Sequence, residues 1–401
     1  MIKKILKISA YVLIALACAL LGYYFIISTN DTTGTNKKPF FGNLFPFGNN
    51  PTVVSELPFA TTTEITPDEP VVGNVTQVMR LISNEPVAGS VFIETQRGDI
   101  VRYIEKATGH IYDVPTFENT VSRISNTTIP QLYTAKFTEN GSGFITQYIK
   151  DDSSLETLYG KIISTSTEQT VTGTILSKKI MSFDVSPNGK TVFTLETTQN
   201  GSEGYISTPS GTNKKLIWTS PLRELIPQYT SDTHIGLQTK PHSSAYGILF
   251  DVDTNTSAKK ILVSNHKNLT TLPYINKNYI LYSNTTGLFT VNTTTGVSEE
   301  LSPSTFAEKC VWAHTKAFIY CAVPQTTLNS NSLYAWYKGE VSYSDTVWEY
   351  DIEKNTAREL VNPVDVDGRV VDISSISINK SDTLLLIQSK IDGSLWTIKI
   401  N

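Results

Sequence analysis

A two-hairpin pattern recurs along this chain, and its last copy stops one strand early. The first hairpin joins two apolar strands through an Asn-centred polar turn. It returns as AKFTENGSGFITQY from Ala135, FDVSPNGKTVFTL from Phe183, YINKNYILYS from Tyr274 and ISINKSDTLLLIQ from Ile376. The second hairpin ends in a more polar strand and returns from His110, Ile248, Leu288 and Val347. Units of this kind cannot bury their faces alone, so they must stack on one another. The final unit ends at Ser394–Asn401 without its fourth strand, whereas Val78–Phe92 matches Val121–Phe137, an outer strand followed by the next unit's inner strand. Pairing Gln77–Ser83 with the terminal strand closes the array. The pattern therefore predicts an all-β, seven-bladed β-propeller over residues 77–401, with one blade shared between its two ends.

Inner strands are expected to begin near Pro86, Gln131, Lys179, Glu224, Leu269, Glu308 and Asp372. The last interval is long because Gln325–Asp345 interrupts the sixth blade between its second and third strands. Rings of six or eight blades are the alternatives, since the first blade has the weakest pattern.

Ahead of the repeats the chain changes character. Residues 1–7 carry Lys3, Lys4 and Lys7, and residues 8–28 form about 21 positions without a charge, enough to span a hydrocarbon core of roughly 30 Å. A single transmembrane helix is expected, with the N-terminus cytoplasmic and the remainder extracytoplasmic by the positive-inside bias. Cleavage as a signal peptide and lipid attachment at Cys18 are the rival readings. The first is disfavoured by the run through Tyr23–Ile27, the second by the apolar residues after Cys18. Residues 29–76 are rich in Asn, Thr, Pro and Gly and are expected to be a flexible linker, with one Phe-rich stretch at Phe40–Gly48 suited to the lipid interface or to docking.

A net charge of −4 without a basic stripe excludes a nucleic-acid binder. Cys310 and Cys321 flank a turn centred on Thr315-Lys316, which makes them direct cross-strand partners. In an extracytoplasmic protein they are expected to form a disulfide; the alternative is a pair of buried thiols.

Motifs for chemistry are incomplete. Gly189-Lys190-Thr191 lacks the glycine a phosphate-binding loop needs at position 184, which is Asp, so a hairpin turn is expected there. Asp251–Asn255 opens like a calcium loop but has Thr256 and Leu262 where Gly and Glu belong. Asp113, Asp251 and Asp351 occupy aligned positions, which suggests that they cap turns. The histidines His110, His234, His242, His266 and His314 fall in different repeats, and no nucleophile elbow or zinc motif occurs. No catalytic residue, metal or cofactor is assigned.

The insertion carries Tyr334, Trp336, Tyr337 and Tyr343 in a loop far longer than a hairpin requires. Propeller topology puts it on the same face as the inter-blade link Asn362–Asp372, whose Asp365 and Asp367 complete a candidate ligand-binding rim for a sugar or peptide. The equal alternative is a plug in which the loop buries its own aromatics.

The segment Ser186-Pro187-Asn188-Gly189-Lys190 resembles the Ser-Pro-Asp-Gly-Lys repeat of TolB-like and WD-like bacterial propellers, with Asn188 in place of Asp. That resemblance implies a surface-anchored binding platform. The expectation is a monomeric propeller on a membrane helix, binding another envelope protein or a cell-wall glycan without turnover. A propeller hydrolase or lyase acting at the channel mouth and a structural scaffold are the alternatives.

Overall fold

The computed structural model describes residues 77–400 apart from 126, 151, 165–168 and 275–277. The expected transmembrane helix, the linker and the Phe-rich stretch lie outside the described residues. Among the described residues no helix is long and apolar enough to cross a membrane.

Seven four-stranded antiparallel sheets make up the fold, six of them built from strands consecutive in sequence. The seventh has the order expected for a shared blade: its strands Ile373–Ile378, Leu384–Ser389 and Leu395–Lys399 are followed in space by Met79–Ser83. Met79 faces Ile398 and Leu81 faces Trp396, with a bulge before the Ser83–Leu395 pair. The described residues thus form an all-β seven-bladed propeller. Inner strands start at Val87, Leu132, Ile180, Leu225, Thr270, Cys310 and Ile373, each within two residues of its expected position.

Alternating Val, Ile, Leu, Phe and Tyr give every blade two apolar faces, and the core is distributed accordingly. Seven clusters each join two adjacent blades; Phe193, Leu195 and Trp218 of blade three, for example, meet Leu225, Ile235 and Leu237 of blade four. Each fully buried aliphatic side chain contributes about 1.5–3 kcal/mol, so the ring is held by many similar junctions. Inner strands crowd the axis: a Cβ on Gly89 would lie 2.0 Å from the Ala135 carbonyl oxygen of the next blade.

Turn chemistry ties neighbouring blades on the face opposite the insertion. In the Ser186–Lys190 turn, Asn188 Oδ1 accepts from Ser186 Oγ at 2.8 Å and from the Lys190 amide at 2.9 Å, while the Asn188 amide donates to Asp232 of blade four at 3.0 Å. Gly189 has φ of 69°, and its carbonyl accepts from the Glu139 amide of blade two. The aligned aspartates divide. Asp351 caps the Glu353 and Lys354 amides, but Asp113 holds Arg102 in a two-pronged ion pair and Asp251 faces His234. Capping in blades four and five falls instead to Asp253 and Asn292, where the chain turns. Cys310 and Cys321 pair directly across the first two strands of blade six and form a disulfide, with Cα atoms 4.1 Å apart.

Candidate functional site

Loops between second and third strands share one face of the ring with the inter-blade links, so the insertion, Glu308-Lys309 and Asp372 all arise on that face. The insertion contains a short helix, Ser332–Lys338, which ends at Gly339 with φ of 74°. Seven residues are too few for a helical stripe to stand out in sequence. Tertiary packing holds the helix: Leu333, Trp336 and Tyr343 form a small core with Phe306 from the link before blade six.

Beneath this lid lies a sealed polar centre. The Lys309 side chain is 0% exposed and sends Nζ to Asp345 Oδ2 at 2.7 Å and to Asp372 Oδ1 at 2.8 Å, both carboxylates also being 0% exposed. Asp372 further accepts from Trp336 Nε1 at 2.9 Å, Ser342 Oγ at 3.0 Å and the Tyr343 amide at 3.1 Å. The Ile373 amide donates to Asp345 Oδ2 at 2.7 Å, while Asp345 Oδ1 is buried without a partner. Burial pushes the Asp345 carboxyl above its ordinary pKa. Burial pushes Asp372 the same way, but the charge and hydrogen bonds of Lys309, with those of Trp336 and Tyr343, outweigh it and hold that carboxyl low.

A second acidic position stands beside the lid. Tyr337 Oη donates to Glu308 Oε2 at 2.6 Å, and Glu308 Oε1 is buried with no partner. Burial pushes Glu308 up to about 7, against the opposing pull of the Tyr337 hydrogen bond and of Lys309 and Lys390. Lys390 donates to the Trp336 carbonyl, and its Nζ lies 4.4 Å from the centre of the Trp336 ring. Burial lowers its pKa. A carboxyl that holds its proton near neutrality beside a phenol is equipped to move a proton.

The expected rim is therefore split. Trp336 and Tyr343 are buried in the lid's own core, as the plug alternative has it, and Tyr337 remains 38% exposed. Tyr334 is half-buried against His242 under the Lys338 ammonium. Asp365 and Asp367 sit in the exposed link, bonded locally to Asn362 at 2.9 Å and Arg369 at 3.3 Å. It is Asp372, at the end of that link, that reaches the insertion.

Next to the lid, between blades five and six, opens a cleft of about 450 Å³. Asn268, Asn284, Thr286, Ser304, Gln325 and Asn329 are among its lining residues, and none of the residues lining it is charged. Such a wall offers amide and hydroxyl hydrogen bonds but no ion-pair anchor.

No family model matches the chain, and no curated protein matches it. Solved structures do. An oligogalacturonate lyase in complex with manganese superposes with a TM-score of 0.54 at 8% identity, covering 81% of this chain and 90% of that one. An oligogalacturonate lyase from Vibrio parahaemolyticus superposes with a TM-score of 0.53 at 12% identity, covering 83% and 96%. Among the described residues no three His, Cys, Asp or Glu side chains converge as a metal-ligand set. At these identities the likeness shows a common propeller fold and nothing finer.

Proposed function

We propose that this chain is a membrane-anchored, extracytoplasmic propeller that binds an uncharged glycan of the cell envelope, without turnover, in the cleft between blades five and six. The observation that carries this reading is the cleft wall: its side chains can satisfy many hydroxyl groups, and it has no cation with which to hold a polyanion. The charge-free segment 8–28 behind Lys3, Lys4 and Lys7 supports the anchor. The Cys310–Cys321 disulfide fits an oxidising compartment. The Ser186–Lys190 turn supports kinship with TolB-like and WD-like platforms.

Calorimetric titration of the protein with neutral cell-wall oligosaccharides and with oligouronates tests it. Neutral sugars bind, oligouronates do not, and Asn284→Asp weakens the neutral sugar about tenfold by leaving a charge poorly solvated in the cleft. Binding confined to oligouronates overturns the reading. A second reading, an enzyme acting on a glycan or peptide at the channel mouth, is favoured by the Glu308–Tyr337 pair and by the lyases that share the fold. Its mark in the same experiment is chain cleavage of the sugar, lost in Glu308→Gln.

A further inference from the structure

We infer that Lys309 and Asp345 become joined by an intramolecular amide bond, which the chain forms by itself with Asp372 as proton carrier. The nucleophile and the carboxyl are already in contact at 2.7 Å, in a pocket where neither side chain reaches solvent. The second carboxyl touches the same nitrogen from the neighbouring blade at 2.8 Å. Trp336 and Tyr343 wall the pocket, with Nζ 4.7 Å and 5.2 Å from their ring centres.

The two aspartates are furnished for different tasks. Asp372 is surrounded by donors from Lys309, Trp336, Ser342 and Tyr343, which suits the ionised form and so a base. Asp345 has one oxygen facing no donor at all. An ammonium with two carboxylates would leave a net negative charge sealed from water; a proton on Asp345 removes it, in keeping with the upward push that burial gives this group. A protonated carboxyl is the form an amine can attack, because hydroxide need not leave as an anion.

The step balances without any outside reagent. Asp372 takes one proton from the Lys309 ammonium, and the freed nitrogen lone pair attacks Asp345 Cγ to form the C–N bond. The C–O bond to the carboxyl hydroxyl then breaks. Asp372 hands its proton to the departing hydroxyl, which leaves as water, and takes up the second proton lost by nitrogen. One ammonium, one carboxylic acid and one carboxylate thus give one amide, one water and one carboxylic acid. Fixed proximity of this kind reaches effective molarities of about 10⁵–10⁸ M, and the closed lid keeps water from reversing the bond. Lys309 directly precedes the disulfide cysteine Cys310, so the inner strand of blade six becomes covalently tied to its second strand by sulfur and to its third by the amide.

Intact-mass measurement of the full chain is the test, and it needs no variant. The expected protein is lighter than its sequence by one water beyond the two hydrogens of the disulfide, and digestion after reduction yields a branched peptide carrying Lys309 and Asp345. Asp372→Asn keeps an acceptor but cannot carry the proton, and it is expected to retain the water. An intact mass without that loss overturns the inference. So does a water loss that maps to a linear peptide, as a cyclised aspartate would give, or a branch that maps to Asp372. Full water loss in Asp372→Asn overturns the role given to Asp372.

Discussion

Lys136 and Lys309 both reach from the inner edge of one blade to an aspartate of the next, yet they occupy different media. Lys136 pairs with Asp184 while 47% of its side chain stays in solvent. Lys309 and its two carboxylates are fully enclosed. The residue types are alike, but Lys136 and Asp184 lie within inner strands, whereas Lys309 and Asp372 stand just before theirs, where the insertion lays Trp336 and Tyr343 over the lysine. Enclosure changes the meaning of the charge. In water the pair is weak because solvent competes for both partners, whereas in the sealed pocket each group depends on the others for its only solvation.

The largest effect expected from this contrast is at Asp372. Asp372→Ala leaves Lys309 facing Asp345 alone and strips an acceptor from Trp336 Nε1, Ser342 Oγ and the Tyr343 amide. Removing one partner from a buried ionic group costs about 3–5 kcal/mol, and the amide that the variant can no longer form adds to that deficit. Chemical denaturation of the variant against the parent measures it, and a loss below about 1 kcal/mol, the range of surface pairs, would show that the pocket is wetter than its geometry implies.

Sequence showed the ring but not this pocket, and the reason is range. Strand alternation and turn residues are local signals, so inner-strand starts such as Val87 and Leu132 were legible one residue away, at Pro86 and Gln131. The disulfide was legible because a turn centred on Thr315-Lys316 fixes which residues face each other. Lys309, Asp345 and Asp372 come from three segments, and each looks like an ordinary polar residue at a strand boundary. One signal was available: topology puts links and second-to-third-strand loops on one face, and all three residues stand at those boundaries. Asp365 and Asp367 stand out in the sequence instead because they lie in an acidic run, although the run is a solvated link. The aromatics of the insertion stand out by composition, but only the folded helix shows that Trp336 turns inward and Tyr337 outward.

Glu308 lies at the margin between the two media and sharpens the comparison through pH. Its folded-state pKa is raised from 4.5 to about 7, so the folded protein keeps a proton that the unfolded chain releases. Its contribution is fully present below about pH 4.5 and is lost as pH rises to about 7, with stability falling by up to about 3 kcal/mol across that window. Glu308→Gln removes the titration, so the difference in thermal stability between parent and variant should change with pH over this range and level off above it. A difference that does not vary between pH 4.5 and 7 would mean that Glu308 is solvated like a surface carboxylate.

The smallest effect belongs to Lys136. In Lys136→Met, Asp184 keeps its hydrogen bond from the Tyr229 amide at 2.6 Å and gains access to water where the ammonium stood, so neither charge nor acceptor is stranded. A loss below about 1 kcal/mol is expected, shrinking further in high salt because the pair is open to screening ions. Salt should leave the Asp372→Ala deficit unchanged, since no ion reaches that pocket. If the two variants respond to salt alike, enclosure by the insertion is not what separates the two lysines, and the difference must lie in the number of carboxylates each one meets.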